Sequence, residues 1–596
     1  MSAKSNPLTR GKKQKAFTLL QQHLPDQALP LLDQVCRADQ RDAEAWFLLA
    51  AAHQELGNFA QAADAYRQVI ALDPDHVEAH YYLGNTCLAL GDGPGAIVAF
   101  REATRLQPGH RQAHVNLGAL LDVQHNYTAA ETNFRAALQL EPRDAELHYN
   151  LGNVLQAQNR FEEAVDAYRQ AQALRPNDAD SHCNLGNALT GLGRYDEALI
   201  CFEQALKLNP NLTAAHNNLG NTLAQMNRYD EAIACYRRAL AINPRYADAQ
   251  TNLGNVQRYR GELRESIASH RQAIGMRPEY ADAHFNLAFA LLVAGQFREG
   301  WQEYPWHWKR EGGQRRSFAP SAWDGTDLDG RPVFLHAEQG LGDEIFFLRF
   351  ALKLKRRGAG RITYRPHRKI ASLLSRTPVI DAVADPDAVS GTQDWVFSVG
   401  DLPRLLGMER MDQIPSPLPL VPLPEKLDSL RVRLAELGPP PYVGVTWRAG
   451  IAGKELVLYK ECPLHDLARS LKDVPGTILI LQRQPQPGEI ESFTQELGRP
   501  VHDFTAFNDD LEQMLALMAL IDEYVGVSNT NMHLRAGVGK TARVLVPSPP
   551  EWRWMAEGKE SPWFPGFSVY RQGYDGDWGD AITKLTADLQ NPQGLR

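Results

Sequence analysis

Residues 145–178 read AELHYNLGNVLQAQNRFEEAVDAYRQAQALRPND, a 34-residue stretch whose pattern recurs through the first half of the chain. Its Pro176 belongs to the series Pro74, Pro108, Pro142, Pro176, Pro210, Pro244 and Pro278, each 34 residues after the last. In step run Leu-Gly pairs from Leu83-Gly84 to Leu253-Gly254, small residues Ala62, Ala96, Ala130, Ala164, Ala198 and Ala232, and rings Tyr66, Phe100, Phe134, Tyr168, Phe202 and Tyr236. Several registers kept in phase at this period mark a stack of helix pairs. Gly and Ala let two helices approach, the ring fills the gap to the next pair, and proline ends the second helix. One pair cannot bury its apolar face alone, so the stack forms a superhelix with a long groove.

The period is that of tetratricopeptide repeats. A degenerate repeat is expected over 1–41, the repeat superhelix over 42–308 and a linker over 309–331. Two asparagine columns accompany the repeats. Asn116, Asn150, Asn184, Asn218, Asn252 and Asn286 form the first, and Asn85, Asn153, Asn187, Asn221 and Asn255 the second, three residues further on in phase. Positions i and i+3 share a helix face, so both columns line one surface of the first helices, facing the groove. A side-chain amide donates and accepts, and a ladder of them can clamp an extended peptide without reading its sequence. Alternatively, these amides bond to neighbouring repeats or to water.

The whole chain has 596 residues, too many for one compact domain. With 43% hydrophobic and 22% charged residues its composition is that of a globular protein. A net charge of −8 gives no reason to expect nucleic acid or an anionic membrane as partner. The six cysteines, Cys36, Cys87, Cys183, Cys201, Cys235 and Cys462, contain no C-x-x-C pair, so neither zinc nor a disulfide framework is indicated. The basic start, Met1 to Lys15, lacks the apolar stretch of a secretory signal, and no window is long and apolar enough to span a bilayer. A cytoplasmic protein is expected.

After Arg298 the period fails. Trp301, Trp306 and Trp308 crowd a short stretch that reads as a capping helix packed on the next domain. From Pro332 short apolar runs alternate with amphipathic segments. Strands are expected at 332–336, 361–364, 442–447, 477–481, 523–527 and 542–546, with helices at 343–357, 464–472, 489–497, 511–520 and 531–538. Such alternation implies parallel sheets covered on both faces. Prolines at 415–424 and 439–441 separate two series, giving lobes at 332–435 and 436–596 with a cleft at their sheet ends.

Three turns could carry chemistry. In the first, from His336 to Ile345, Gly340 and Gly342 permit a tight turn and Asp343 opens a helix, unless it only caps it. Glu338 and Gln339 stand beside it, as polar contacts for a ligand or as supporting structure. His336 itself reads as a core histidine at a strand end. The second, Gly444 to Gly450, places Thr446 and Arg448 at the cleft with Lys454 in the following loop; Arg448 could hold a phosphate or be a solvated cation. In the third, Ser528, Asn529, Thr530 and Asn531 open a helix whose free N–H groups suit a phosphate. His533 lies one turn in, as ligand or as packed helix residue.

On these motifs, and on Glu551-Trp552-Arg553-Trp554 after the third turn, the chain resembles bacterial proteins that join a tetratricopeptide array to a glycosyltransferase domain of the two-Rossmann-lobe, GT-B type. The Asn ladder resembles that of the eukaryotic O-GlcNAc transferase superhelix, where such residues hold acceptor proteins. Gly342-Asp343 resembles the Gly-Asp of heptosyltransferases, in which the Asp is the catalytic base, and Met532-His533-Leu534 resembles their helix start beside the donor. Where that family has Asp-Thr-Gly before the His, this chain has Ser528, Asn529 and Thr530, which argues against ADP-heptose. The chain is also similar to tetratricopeptide-linked transferases that modify flagellin.

The resemblance implies a glycosyltransferase in which Asp343 takes the proton of an acceptor hydroxyl. Its donor, a nucleotide sugar used as substrate, would lie against Thr446, Arg448, Lys454, Ser528, Asn529, Thr530, Asn531 and His533. Glu338, Gln339, Gly340 and Gly342 would position acceptor or sugar, and the repeats would present a protein acceptor. The second lobe is read as lacking an Asp-x-Asp metal motif, so cations and a helix terminus replace a divalent metal, and no cofactor is expected. A homodimer through the repeats is admissible. Two other readings stay open: a transferase acting on lipopolysaccharide or another glycan, and a non-catalytic scaffold whose transferase lobes have decayed.

Overall fold

The computed structural model describes residues 7–310, 320–323, 325–337, 340–385, 388, 395–449 and 460–590. The chain divides into two compact units, Met1–Arg228 and Tyr229–Arg596.

The first unit is a tetratricopeptide-like solenoid of antiparallel helix pairs, from Pro7–Gln21 with Pro25–Ala38 through Ala145–Ala157 with Phe161–Leu174 to the helix Thr213–Gln225. Helix starts are set by side-chain caps: Asp42, Asp144 and Asp178 accept backbone N–H groups of the first turn. The turn inside each pair needs one left-handed residue. Gly57, Gly91, His125, Asn159, Gly193 and Asn227 supply it, 34 residues apart, with φ of 74°, 75°, 59°, 58°, 72° and 59°. The Leu-Gly glycines have a different task. A Cβ on Gly152 would lie 2.6 Å from the buried Tyr168 ring, and Gly84 and Phe100 repeat the arrangement at 2.6 Å. Each ring thus lands on the glycine of its own repeat, where the sequence reading had it reaching for the next.

The second unit opens with the helix Tyr229–Ile242 and two helix pairs, Ala247–Tyr259 with Leu263–Met276, and Ala281–Val293 with the short Phe297–Glu303. Two sheets follow. In the first, β1 (Val333–His336), β2 (Ile362–Arg365), β3 (Ala382–Val383) and β4 (Trp395–Ser398) lie parallel in the order β3-β2-β1-β4. The chain then makes β5 (Tyr442–Thr446), a small ribbon of β6 (Arg448–Ala449) and β7 (Lys460–Glu461), β8 (Thr477–Ile480), β9 (Val501–Asp503), β10 (Glu523–Val527), β11 (Arg543–Val546), β12 (Glu560–Ser561) and β13 (Phe564–Arg571). The larger sheet runs β12-β13-β11-β10-β5-β8-β9, parallel except for the antiparallel β12–β13 edge.

The expected strands are present. β4, β9 and β13 were not anticipated: β13 carries Pro565 and Gly566, residues that demote a run from strand to turn when read alone. The expected helix over 343–357 is two helices, Leu341–Leu348 and Ala351–Arg356. Trp301 is buried where expected, edge-on to Trp552 at 5.2 Å and Trp563 at 6.1 Å, so a seam of rings welds the last repeat to the α/β part. Trp306 stacks on His284 at 3.9 Å instead.

Candidate functional site

β1 delivers the chain to a turn at Gly340 (φ +80°), from which the helix Leu341–Leu348 departs. Gly340 is its cap residue and makes no side-chain cap bond. Asp343, in the first turn, is ion-paired with Arg553, which comes from the turn after β11. Gly342 faces His533: a Cβ there would stand 3.0 Å from the imidazole. Two segments about two hundred residues apart in sequence, one beside each sheet, therefore meet at a single point.

The charges around that point form a chain. Arg553 lies 3.9 Å from Glu551, which pairs with Lys460 at 2.9 Å. Lys460 also donates to the Ser528 carbonyl at 3.2 Å, and Ser528 Oγ donates to Glu551 at 2.9 Å. Burial alone would raise the Glu551 pKa, but Lys460 and Arg553 outweigh it and hold the carboxyl below its ordinary value. Burial, and after it the charges of Arg553, Arg349 and Lys460, push His533 well below the usual imidazole range. His533 is therefore neutral at pH 7, packed edge-on to Phe346 and Phe564. Arg349 is also buried here and donates to the Phe346 and Trp563 carbonyls at 3.0 and 2.6 Å; burial brings it down to about 9.

Other expected donor residues have structural work. Thr446 is buried, with its hydroxyl 3.0 Å from Tyr524 Oη and 3.1 Å from Asn529 Nδ2. Asn529 caps the helix Thr530–Gly537 by accepting the Asn531 N–H at 3.0 Å, so one of the free helix-start donors is already taken. Asn531 is buried at that start. Arg448 does not point a free fork at the cleft: Glu489 holds it through two contacts, and Glu461 lies 3.7 Å away. Glu338, Gln339 and Lys454 lie outside the described residues. Lys460 and Arg349 were missed because charged residues scattered outside the repeats carry no period; Glu551 and Arg553 lie in a stretch on which the resemblance rests, but their role was not legible there.

Contrary to the expectation from the sequence, the second lobe does contain an Asp-x-Asp spacing, at Asp575-Gly576-Asp577. Asp575 accepts the Asp577 N–H and Asp577 the Gly579 N–H, at 3.0 and 3.1 Å, which makes them turn formers on the surface. Among the described residues no three of His, Cys, Asp and Glu converge as metal ligands, and no helix is long and apolar enough to cross a membrane.

The asparagine columns bond to one another in the first unit. Asn116 donates to Asn85 at 3.0 Å, and Asn184 to both Asn153 and Tyr149 Oη at 2.9 Å, each reaching back to the preceding repeat. Asn218 accepts from Asn217 at 3.1 Å, and Asn150 is partly buried. In the second unit Asn252 and Asn286 are partly buried. An amide has two N–H groups and two acceptor positions, so the bonded members keep capacity for a partner. A histidine column escaped the sequence reading although its period is the same. Nε2 of His80, His114, His148, His182 and His216 lies 2.9 to 3.1 Å from the carbonyl of the proline six residues earlier, which fixes that nitrogen as the donor.

Comparison with known proteins agrees with the repeats. The family described as cilia and flagella-associated protein 70 C-terminal domain, a tetratricopeptide model, matches residues 12–252, and a tetratricopeptide-repeat model matches 254–295. Protein FlbA of Caulobacter vibrioides is 26% identical over 320 residues, 49% of this chain and 52% of that protein, so the chain spans about half the length of the curated relative it matches. Among solved structures, YrrB, a tetratricopeptide protein with an unusual peptide-binding site, is 24% identical at a TM-score of 0.29, covering 31% of this chain and 96% of its own. A thermophilic repeat protein of Thermus thermophilus is 25% identical at 0.29, covering 30% and 99%. With the 34-residue period, the helix pairs and two family models in accord, the chain is a tetratricopeptide-repeat protein with a C-terminal part of mixed sheets.

Proposed function

We propose that this protein is a glycosyltransferase of two-lobed GT-B type, taking a nucleotide sugar in the cleft between its sheets and a protein acceptor along its repeats. The observation that carries this reading is the meeting of Asp343 and Gly342 with Arg553 and His533 across the two lobes. Asp343 accepts the proton of the acceptor hydroxyl as that oxygen attacks the sugar's anomeric carbon. The bond from that carbon to the nucleotide's phosphate breaks, and the electron pair leaves on the phosphate oxygen. Lys460, Arg553 and the start of helix Thr530–Gly537 stabilise the charge that develops there. Neutral His533 adds an N–H donor without adding charge. A phosphate beside Lys460 competes with Asp343 for Arg553, and so frees the carboxylate as the donor arrives.

A second reading is a partner-binding scaffold. It is favoured by Thr446, Arg448 and Asn529, which are all spent on contacts within the protein. Thermal unfolding against UDP-, CMP-, GDP-, ADP- and dTDP-sugars separates the two. A ligand at one hundred times its Kd adds about 2.7 kcal/mol. A shift with one nucleotide class, kept by Asp343→Asn while sugar transfer is lost, supports the enzyme. No shift with any of them supports the scaffold.

A further inference from the structure

The repeat formed by Ala247–Tyr259 and Leu263–Met276 departs from its neighbours inside. It has Ser266 and His270 at the positions of Ala232 and Tyr236, and Gln257 at that of Leu223. Thr251 Oγ1, Asn255 Oδ1, Arg258 Nε, Ser266 Oγ and both His270 nitrogens are buried with no hydrogen-bond partner among the described residues. Buried polar atoms are nearly always paired. Their concentration in one helix pair marks a place shaped by something other than stability.

Arg258 sits at the end of the asparagine face, after Asn252 and Asn255 at three-residue steps. Its guanidinium lies 5.0 Å from the centre of the Tyr259 ring and 5.6 Å from that of Phe289. Phe289 occupies the position that Asn255, Asn221, Asn187 and Asn153 hold in earlier repeats, so here the surface changes from amide to aromatic. Four arginines of this region are matched by acids: Arg260 by Asp230 and Glu262, Arg271 by Glu299, Arg277 by Asp248 and Arg310 by Asp282. Arg258 has no carboxylate partner among the described residues. Burial lowers its pKa from the ordinary arginine value, opposed only by Tyr259. A desolvated guanidinium resting on rings, with no acid to pair it, is a receptor for a carboxylate.

We infer that Arg258, Asn255 and Phe289 form a subsite that takes an Asp or Glu side chain of an extended partner chain, the neighbouring amide holding that chain's backbone. This rests on the partner-binding part of the reading above and is independent of any sugar transfer. The test uses the full chain and two fluorescent peptides, one of four Gly-Ser-Asp triplets and one of four Gly-Ser-Asn triplets, followed by polarisation. The acidic peptide is expected to bind about tenfold tighter or more, as a charge-assisted hydrogen bond provides. In Arg258→Met the preference falls to near unity while binding of the Gly-Ser-Asn peptide stays within about twofold. Arg258→Lys keeps part of it. Because the Met variant removes an unpaired buried charge, its melting temperature should not drop, which shows that the repeat still folds. Equal affinity for the two peptides, or a preference that survives in Arg258→Met, overturns the subsite alone. Binding of neither peptide overturns the groove reading with it.

Discussion

The ion pair between Asp343 and Arg553 is the most direct handle on the proposed site. Arg553 is 11% exposed and Asp343 35% exposed, so one partner is nearly dry and the other is screened by water. A close pair near a protein surface interacts by about 4 kcal/mol before desolvation, and the exposure of Asp343 brings the net coupling down to about 2 kcal/mol. Arg553→Met removes the ion pair of Asp343 and leaves Lys460 as the charged partner of Glu551, at a cost of about 3 kcal/mol. Asp343→Asn is milder, about 1–2 kcal/mol, because Glu551 at 3.9 Å still faces Arg553. The double variant should therefore cost about 2 kcal/mol less than the sum of the single ones. Urea unfolding followed by tryptophan fluorescence reads this, since the Trp552 ring lies 4.6 Å from the Arg553 guanidinium, packs against Trp563 and, like Trp554, is buried in the second unit. A coupling below about 0.5 kcal/mol would refute the claim that the two lobes are tied at this point. The same Arg553→Met variant should lose the nucleotide-induced thermal shift that Asp343→Asn keeps.

Three further outcomes follow from the repeats. His270 is brought down to about 3 by burial and the charge of Arg258, whereas its unfolded imidazole takes a proton near pH 6.5. Unfolding thus binds a proton between those values, and stability falls by about 1.4 kcal/mol for each pH unit below 6.5. His270→Phe, which restores the ring found at Phe202 and Phe134, should raise the melting temperature and remove that slope between pH 7 and 5; an unchanged slope would show that the acid sensitivity lies elsewhere. Gly152→Ala drives a methyl into Tyr168 and should destabilise the first unit by about 1–3 kcal/mol in denaturant titration, with no effect on nucleotide binding. Asn184→Ala removes the bonds to Asn153 and Tyr149 while Tyr168 still donates to Asn153 at 2.8 Å, so it should cost about 1 kcal/mol or less; a larger loss would make the ladder a structural element first.

The repeats were legible because their physics is periodic. Each helix pair solves the same packing problem, so glycine, ring, left-handed turn residue and proline return every 34 residues and the register can be counted. The α/β part offered strands and helices through alternation, but β13 was hidden by Pro565 and Gly566. At the candidate site the turns were found and their partners were not. Gly340, Gly342 and Asp343 announce themselves as a strand-to-helix junction, and Ser528 to Asn531 as a helix start. Nothing in the sequence says that Arg448 is matched by Glu489, or that Thr446 and Asn529 satisfy Tyr524.

By itself the sequence determined the solenoid, the alternation of strands and helices after it, and the small set of turns where backbone can approach a ligand. Those properties are local or repeat at a fixed spacing, and pattern suffices for them. Only the tertiary structure decided which charges meet: that Asp343 faces Arg553, that Lys460 and not Arg448 lies at the Ser528 turn, and that His533 is buried among cations and stays neutral. Pairing across some two hundred residues is set by how the sheets pack. Electrostatics depends on distance and burial, which have no counterpart in the spacing of residues along the chain.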